Sequence, residues 1–276
     1  MNSSSIQSNR FKSYVIPPRA HLYLADYGNS YFCLTQQCLI DKEYKAFFQS
    51  RINAGQFVTN DSGVGDHDPI GYEDYINLID EMRPSEAISL DVLYDCQQTK
   101  DYLDRFIVSF QARNLLGKVN IIFCAQGNNF KEWLDCYKYG LKEKCVDVMG
   151  MSKLSVPMAL AKDKIYLEKY PDQSILSARH EMYDLLKEGS FITKPLHFLG
   201  AQDPAEFQKY LQDPLCRSND SCYAVLAGYN EIDWTEGNFT RIPTPRNYFD
   251  LTLTDKQEQI AIKNIKYIQE VAHKSS

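Results

Sequence analysis

Val119-Asn120-Ile121-Ile122-Phe123-Cys124-Ala125 is the stretch that decides the fold of this chain. It is an almost continuous apolar run of strand length, and Gln126-Gly127 ends it. Apolar side chains on both faces are typical of a strand in a parallel sheet that helices cover on both sides. We therefore expect a central strand of an α/β fold here, with helices before and after it.

Strand-like and helix-like segments alternate on both sides of this run. The predicted strands are 21–26, 56–60, 87–92, 119–125, 146–151, 196–200 and 223–227. The predicted helices are 42–54, 72–82, 99–114, 129–144, 174–188, one that starts at Asp203-Pro204, and 255–273. This alternation with short connections predicts one α/β domain over 14–276, a (β/α)8 TIM-type barrel that is least regular at its last strand. Residues 1–13 are polar and are expected to be a flexible N-terminus.

The composition describes a chain that can bury a large core. Of its 276 residues 44% are hydrophobic and 13% aromatic, and the formal net charge is -6. Nucleic-acid binding would therefore depend on a local basic groove, because the chain as a whole is acidic. The eight cysteines are scattered without a C-x-x-C pair, which predicts buried, reduced thiols. We see no signal peptide and no membrane-spanning run, so we expect a soluble cytoplasmic protein without a membrane partner.

Three acidic residues lie within or next to predicted strands. Asp61-Ser62-Gly63 follows one strand, although ordinary turn chemistry would also account for it. Asp91 lies within an apolar strand, where a carboxylate is costly to bury unless it is paired or functional. Asp220 stands at the last predicted strand and could also be a cap. Active sites of barrels form at the carboxyl ends of the strands, so these carboxylates are predicted to meet at one mouth.

A glutamine and two glycines extend this candidate site. The amide of Gln126 offers donors and an acceptor that can read the edge of a heterocyclic base. Gly127 and Gly150 either let a ligand approach the backbone closely or turn the chain. Two acids on opposite sides of a sugar ring are what double displacement at an anomeric carbon requires.

Two other kinds of site are disfavoured. Asp66-His67-Asp68 looks like a metal cluster, but adjacent ligands on a loop do not easily turn toward one ion, and no H-x-x-x-H supports it. Cys222 could be a thiol nucleophile with His197 or His180, but nothing in the sequence orients such a pair.

In their order along the chain, these segments resemble the tRNA-guanine transglycosylases, which exchange guanine for a 7-deazaguanine on a (β/α)8 barrel. The resemblance covers about residues 15–230 at low identity. Asp61-Ser62-Gly63 is similar to the family's Asp-Ser-Gly-Gly, although Val64 replaces the second glycine. The other similar segments are Leu90-Asp91, Ala125-Gln126-Gly127, Met149-Gly150-Met151, Phe198-Leu199-Gly200-Ala201 with Pro204, and Asn219-Asp220-Ser221-Cys222-Tyr223-Ala224-Val225.

The resemblance implies a role for each of these residues. Asp220 would be the nucleophile that forms a covalent aspartyl–nucleic acid intermediate, and Asp61 would be the general acid/base. The base would be bound by Ser62, Asp91, Gln126, Gly127, Gly150 and Met151. Phosphate contacts are expected from the loop cations Arg217, Arg241 and Arg246, and no cofactor is expected.

The departures from the family pattern bear on the substrate. No Cys-x-Cys-x-x-Cys plus His group follows Cys222, so no metal is expected. The chain has no appended RNA-binding domain, and in this it resembles the phage and bacterial branch that inserts 7-deazaguanines into DNA. The partners expected are therefore DNA and a 7-deazaguanine base, with tRNA as the alternative. A non-catalytic barrel subunit and a hydrolase of a deazaguanine nucleoside also stay open.

Overall fold

The computed structural model describes residues 11–63, 70–160, 171–201, 204–240 and 242–273. Within these ranges, eight parallel strands close into a barrel, in which β1 pairs with both β2 and β8. The strands are β1 (Lys12–Val15), β2 (Tyr31–Leu34), β3 (Val58–Asp61), β4 (Glu86–Ile88), β5 (Asn120–Cys124), β6 (Val146–Ser152), β7 (Leu196–Leu199) and β8 (Cys216–Ser221). The expected (β/α)8 barrel is confirmed.

Helices follow the strands and cover the outside of the barrel. They are α1 (Thr35–Ile40), α2 (Lys42–Asn53), α3 (Tyr72–Met82), α4 (Cys96–Ala112), α5 (Phe130–Lys142), α6 (Ser155–Leu160), α7 (Pro171–Glu188), α8 (Pro204–Gln208), α9 (Tyr223–Tyr229) and α10 (Asp255–His273). Short 3-10 segments lie at Arg19–Tyr27, Trp234–Glu236 and Tyr248–Asp250. Side-chain caps fix several starts, as where Asp95 accepts a hydrogen bond from the backbone N of Gln98 before α4. No helix in the described ranges is long and apolar enough to cross a membrane.

The barrel interior is filled in layers. Apolar side chains that include Tyr14, Phe32, Ile88, Ile122 and Val148 pack against each other inside the closed sheet. A second, larger apolar layer lies between the strands and the helices. Toward the amino ends of the strands the interior is polar, with a buried ion pair described below. Because these groups fill the amino end of the barrel, we expect the site at the opposite, carboxyl end of the strands.

Two predicted strands are wrong, and three strands of the barrel were not predicted. Residues 21–26 belong to the 3-10 segment Arg19–Tyr27, and β2 was not predicted. The predicted strand 223–227 is helix α9, whose residues Tyr223–Gly228 are all buried because the helix packs tightly on α10. The true β8 comes before it and is polar, since Arg217, Ser218 and Asp220 point into the barrel. β1, which was not predicted as a strand, starts at Lys12.

Candidate active site

A cavity of about 330 Å³ lies at the carboxyl ends of the strands. Its wall combines three carboxylates, those of Asp61, Asp91 and Asp220, with apolar side chains such as Leu34 and Leu199. Because β3, β8 and the segment after β4 contribute the acids, closure of the barrel is what brings these distant residues together. The three acids therefore lie at one mouth of the barrel, as the sequence predicts.

Cys124, at the end of β5, has all three acids around it. Burial raises the pKa of its thiol well above the ordinary value, and the negative charges of Asp91, Asp61 and Asp220 raise it further. Because charge interactions weaken with distance, effects from all three carboxylates on one thiol indicate that all three lie close to its sulfur. Cys124 is therefore a neutral thiol in the wall of the cavity rather than a nucleophile.

Asp220 is held by one of its two oxygens. Its Oδ1 accepts hydrogen bonds from Nε2 of His197 and from the backbone N of Gly200, both at 3.1 Å. Its side chain is only 9% exposed. No hydrogen bond from the described residues reaches Oδ2. The carboxylate is therefore fixed through one oxygen, and the other is available to a ligand in the cavity.

A chain of buried polar groups selects the tautomer of His197. Arg217 donates to Oγ of Ser218 from Nε and Nη2, at 3.4 and 3.3 Å. Because these donors occupy the lone pairs of the Ser218 oxygen, the hydroxyl donates its own hydrogen to Nδ1 of His197, 2.9 Å away. This leaves the imidazole hydrogen on Nε2, which is the atom that faces Asp220. The ring is held between Tyr14 and Phe32, with centroid distances of 5.7 and 5.9 Å.

Asp91 and Gln126 form a buried pair. Gln126 donates from Nε2 to Oδ2 of Asp91, and its Oε1 accepts from the backbone N of Tyr94 at 3.0 Å. Burial raises the pKa of Asp91 to about 7, against the lowering effect of the Gln126 hydrogen bond. Near neutral pH the carboxyl is therefore divided between its charged and protonated forms, so it can either accept or donate a hydrogen bond.

Asp91→Asn is expected to change how stability depends on pH. The free energy of unfolding of the wild type should fall as pH rises from about 4 to about 7, by up to about 4 kcal/mol, because the folded state binds the Asp91 proton more tightly than the unfolded state. An asparagine at this position does not titrate, so the variant should not lose stability in this way as pH rises. Its free energy of unfolding, measured with urea, should exceed that of the wild type at pH 8 but not at pH 4. Exposed Asp101→Asn is the control and should follow the wild type. Parallel pH curves for Asp91→Asn and wild type would contradict the assignment.

Four predicted base-binding residues lie behind the cavity wall. Gln126 is fully buried behind Asp91. A Cβ on Gly127 would lie 2.4 Å from the backbone N of Trp133, so this glycine permits close packing against α5. A Cβ on Gly150 would lie 2.3 Å from Sγ of Cys124, inside the barrel. The side chain of Met151 lies in the outer apolar layer. Ser62, in contrast, lines the cavity together with the acids.

The backbone carbonyls at the ends of β6 and β7 are engaged by a buried arginine. The Met151 carbonyl accepts a hydrogen bond from Nη1 of Arg179 at 3.3 Å, and the Leu199 carbonyl accepts one at 2.5 Å. Arg179 also donates from Nη2 to the Gly200 carbonyl at 3.4 Å and forms a fully buried ion pair with Glu206. Arg179 thus joins the ends of β6 and β7, and through Gly200 it supports the hydrogen bond to Asp220.

One of the cations predicted to contact phosphate, Arg217, does not line the cavity. Arg217 is an extra residue in β8, where the register with β7 shifts, and it points into the barrel interior. There it forms a double hydrogen bond to the fully buried Glu86, with Nη2 2.7 Å from Oε2, at the end of the barrel away from the cavity. Arg246 does line the cavity. Arg241 and the segment 66–68 lie outside the described residues.

The alternative thiol site does not assemble. His180 donates from Nε2 to the backbone O of Glu206 at 2.9 Å, and His197 is bonded to Asp220 rather than to Cys222. Sequence reasoning missed Lys153, which lines the cavity after β6, and His197 as the partner of Asp220. A histidine within the apolar strand 196–200 was the available signal for the latter.

Within the described part of the chain, no group of three or more His, Cys, Asp or Glu residues is arranged to hold a metal ion. Neither a protein-family model nor a curated protein sequence matches the chain. The function must therefore be argued from the cavity itself.

Proposed function

We propose that this protein is a base-exchange glycosyltransferase that replaces guanine in DNA with a 7-deazaguanine. One observation carries the proposal: Asp220 is held through Oδ1 with Oδ2 available, in a cavity it shares with Asp61 and Asp91. A positioned carboxylate with a second acid nearby is the machinery of covalent catalysis at an anomeric carbon.

In the first half of the reaction, Oδ2 of Asp220 attacks C1′ of the target nucleotide. The bond from C1′ to N9 of guanine breaks, its electron pair goes to the base, and Asp61 gives a proton to the departing guanine. The sugar is left esterified to Asp220. The hydrogen bonds from His197 and Gly200 orient Asp220 for the attack, and they later stabilise the carboxylate that leaves when the ester breaks.

In the second half, the incoming 7-deazaguanine loses its N9 proton to Asp61. N9 attacks C1′, the ester bond breaks, and Asp220 returns to a carboxylate. Asp91, with its pKa of about 7, exchanges hydrogen bonds with the edge of either base, and Gln126 orients it from behind. The cavity volume of about 330 Å³ is near the lower end for small-molecule sites, which suits one nucleoside taken out of the base stack.

Incubation of the isolated protein with DNA and an isotope-labelled 7-deazaguanine tests the proposal. We expect label in the DNA nucleosides after digestion, with release of one guanine for each label. Parallel incubations contain tRNA in place of DNA or omit the deazaguanine. Label in tRNA alone would assign the alternative polynucleotide, and release of a base without replacement would assign a hydrolase. No reaction in any incubation would favour the non-catalytic subunit.

A further inference from the structure

Two cations line the otherwise acidic cavity, and both belong to one side of it. Lys153 follows β6, and Arg246 lies in the segment before Tyr248–Asp250. Both are placed next to Cys222, which also lines the cavity. Sγ of Cys222 lies 3.7 Å from Oγ1 of Thr244, two residues before Arg246, and the Lys153 charge opposes the pKa-raising effect of burial on this thiol. Cys222 is two residues beyond Asp220, so the positive side of the cavity adjoins the proposed nucleophile.

Neither cation is used to neutralise the acids of the cavity. Among the described residues, no carboxylate forms an ion pair with Lys153 or Arg246, and no hydrogen bond engages either side chain. The stem of Lys153 packs over Gly200, where a Cβ would lie 2.5 Å from Cδ of the lysine. Since Gly200 donates to Asp220, the lysine is held beside the reacting group, although none of the described residues pairs with its ammonium group.

We propose that Lys153 and Arg246 bind a backbone phosphate of the DNA strand, next to the sugar that Asp220 attacks. The inference rests on the proposed function and assigns the residues that hold the strand at its backbone, a contact that a free nucleoside could not make. A strand is a polyanion, and the three carboxylates of the cavity repel it. Two cations on one side of the cavity offset this repulsion and admit the strand in one orientation.

Equilibrium binding of a labelled single-stranded DNA, measured by fluorescence anisotropy over a series of salt concentrations, tests the inference. Each phosphate neutralised contributes about 0.7 to the slope of log K against log salt for a single strand. We expect Lys153→Met and Arg246→Met each to lower the slope by about that amount and to weaken binding at low salt. Lys153→Met keeps an apolar stem over Gly200. Lys142→Met is the matched control, because Lys142 is exposed at the end of α5, opposite the cavity.

If the slope of log K against log salt in both variants equals that of the wild type, the inference is overturned, even if the protein exchanges bases. Free deoxyguanosine that binds as tightly as the strand would also overturn it. A wild type that binds with the expected slopes but exchanges no base would instead refute the proposed function and leave the phosphate site in place. An RNA strand of the same sequence is the further comparison. Preference for it, with the same loss of slope in the variants, would support the phosphate site and contradict DNA as its source.

Discussion

Asp220→Asn is expected to abolish base exchange, with a loss of about 10⁴-fold or more in kcat. The amide oxygen of asparagine can still accept the hydrogen bonds from His197 and Gly200, so the geometry of the site should persist. The amide, however, is a poor nucleophile and cannot form the ester with C1′. The measurement is incorporation of labelled 7-deazaguanine into DNA, together with the denaturation-resistant protein–DNA adduct on a gel.

The adduct distinguishes loss of chemistry from loss of folding. Wild-type protein should form it when the incoming base is withheld, and Asp220→Asn should not. Asp101→Asn makes the same change on the exposed surface of α4 and should keep both exchange and adduct. If Asp220→Asn retained wild-type exchange, the nucleophile would have to be another residue.

Arg217→Met is expected to cost about 3–5 kcal/mol of unfolding free energy. The variant leaves Glu86, which is fully buried, without the guanidinium that pairs with it. An unpaired charge in the barrel interior loses its solvation without compensation. Urea unfolding of the purified variant measures the cost.

The double variant Glu86→Met with Arg217→Met separates the charge effect from packing. Replacing both partners with apolar side chains should recover most of the lost stability, because no buried charge is then left unpaired. Lys256→Met breaks the exposed pair with Glu231 and should cost less than about 1 kcal/mol. A loss for Arg217→Met as small as that of Lys256→Met would contradict the role of the buried pair.

Much of the fold could be predicted because the outer apolar layer leaves a clear pattern in the sequence. Strand β5 is apolar on both faces, and helices α3 and α10 have the bounds that their amphipathic spacing predicts. Strand β8 escaped prediction for the opposite reason. Its residues Arg217, Ser218 and Asp220 point into the barrel, where polar groups bond to each other rather than to water. A search for apolar runs therefore selected the buried helix α9 in its place.

The site was predicted in part. Acids at strand ends could be found because barrel topology alone brings those ends together, and Asp61, Asp91 and Asp220 indeed line one cavity. Which neighbours face the ligand depends on side-chain direction in the loops, which periodicity does not encode. Gln126 turns toward Asp91 because the backbone of Tyr94 holds its carbonyl oxygen. The partnership of His197 with Asp220 likewise depends on the pairing of β7 with β8.

The filled interior beneath the cavity has a kinetic consequence for the proposed exchange. Tyr14, Thr59, Glu86 and Arg217 close the barrel below the acids with hydrogen bonds and an ion pair. A departing base has no exit through this floor, so the old base and its replacement must use the same opening in turn. Exchange then follows ping-pong order, in which double-reciprocal plots give parallel lines and free guanine competes with the incoming base for the esterified enzyme.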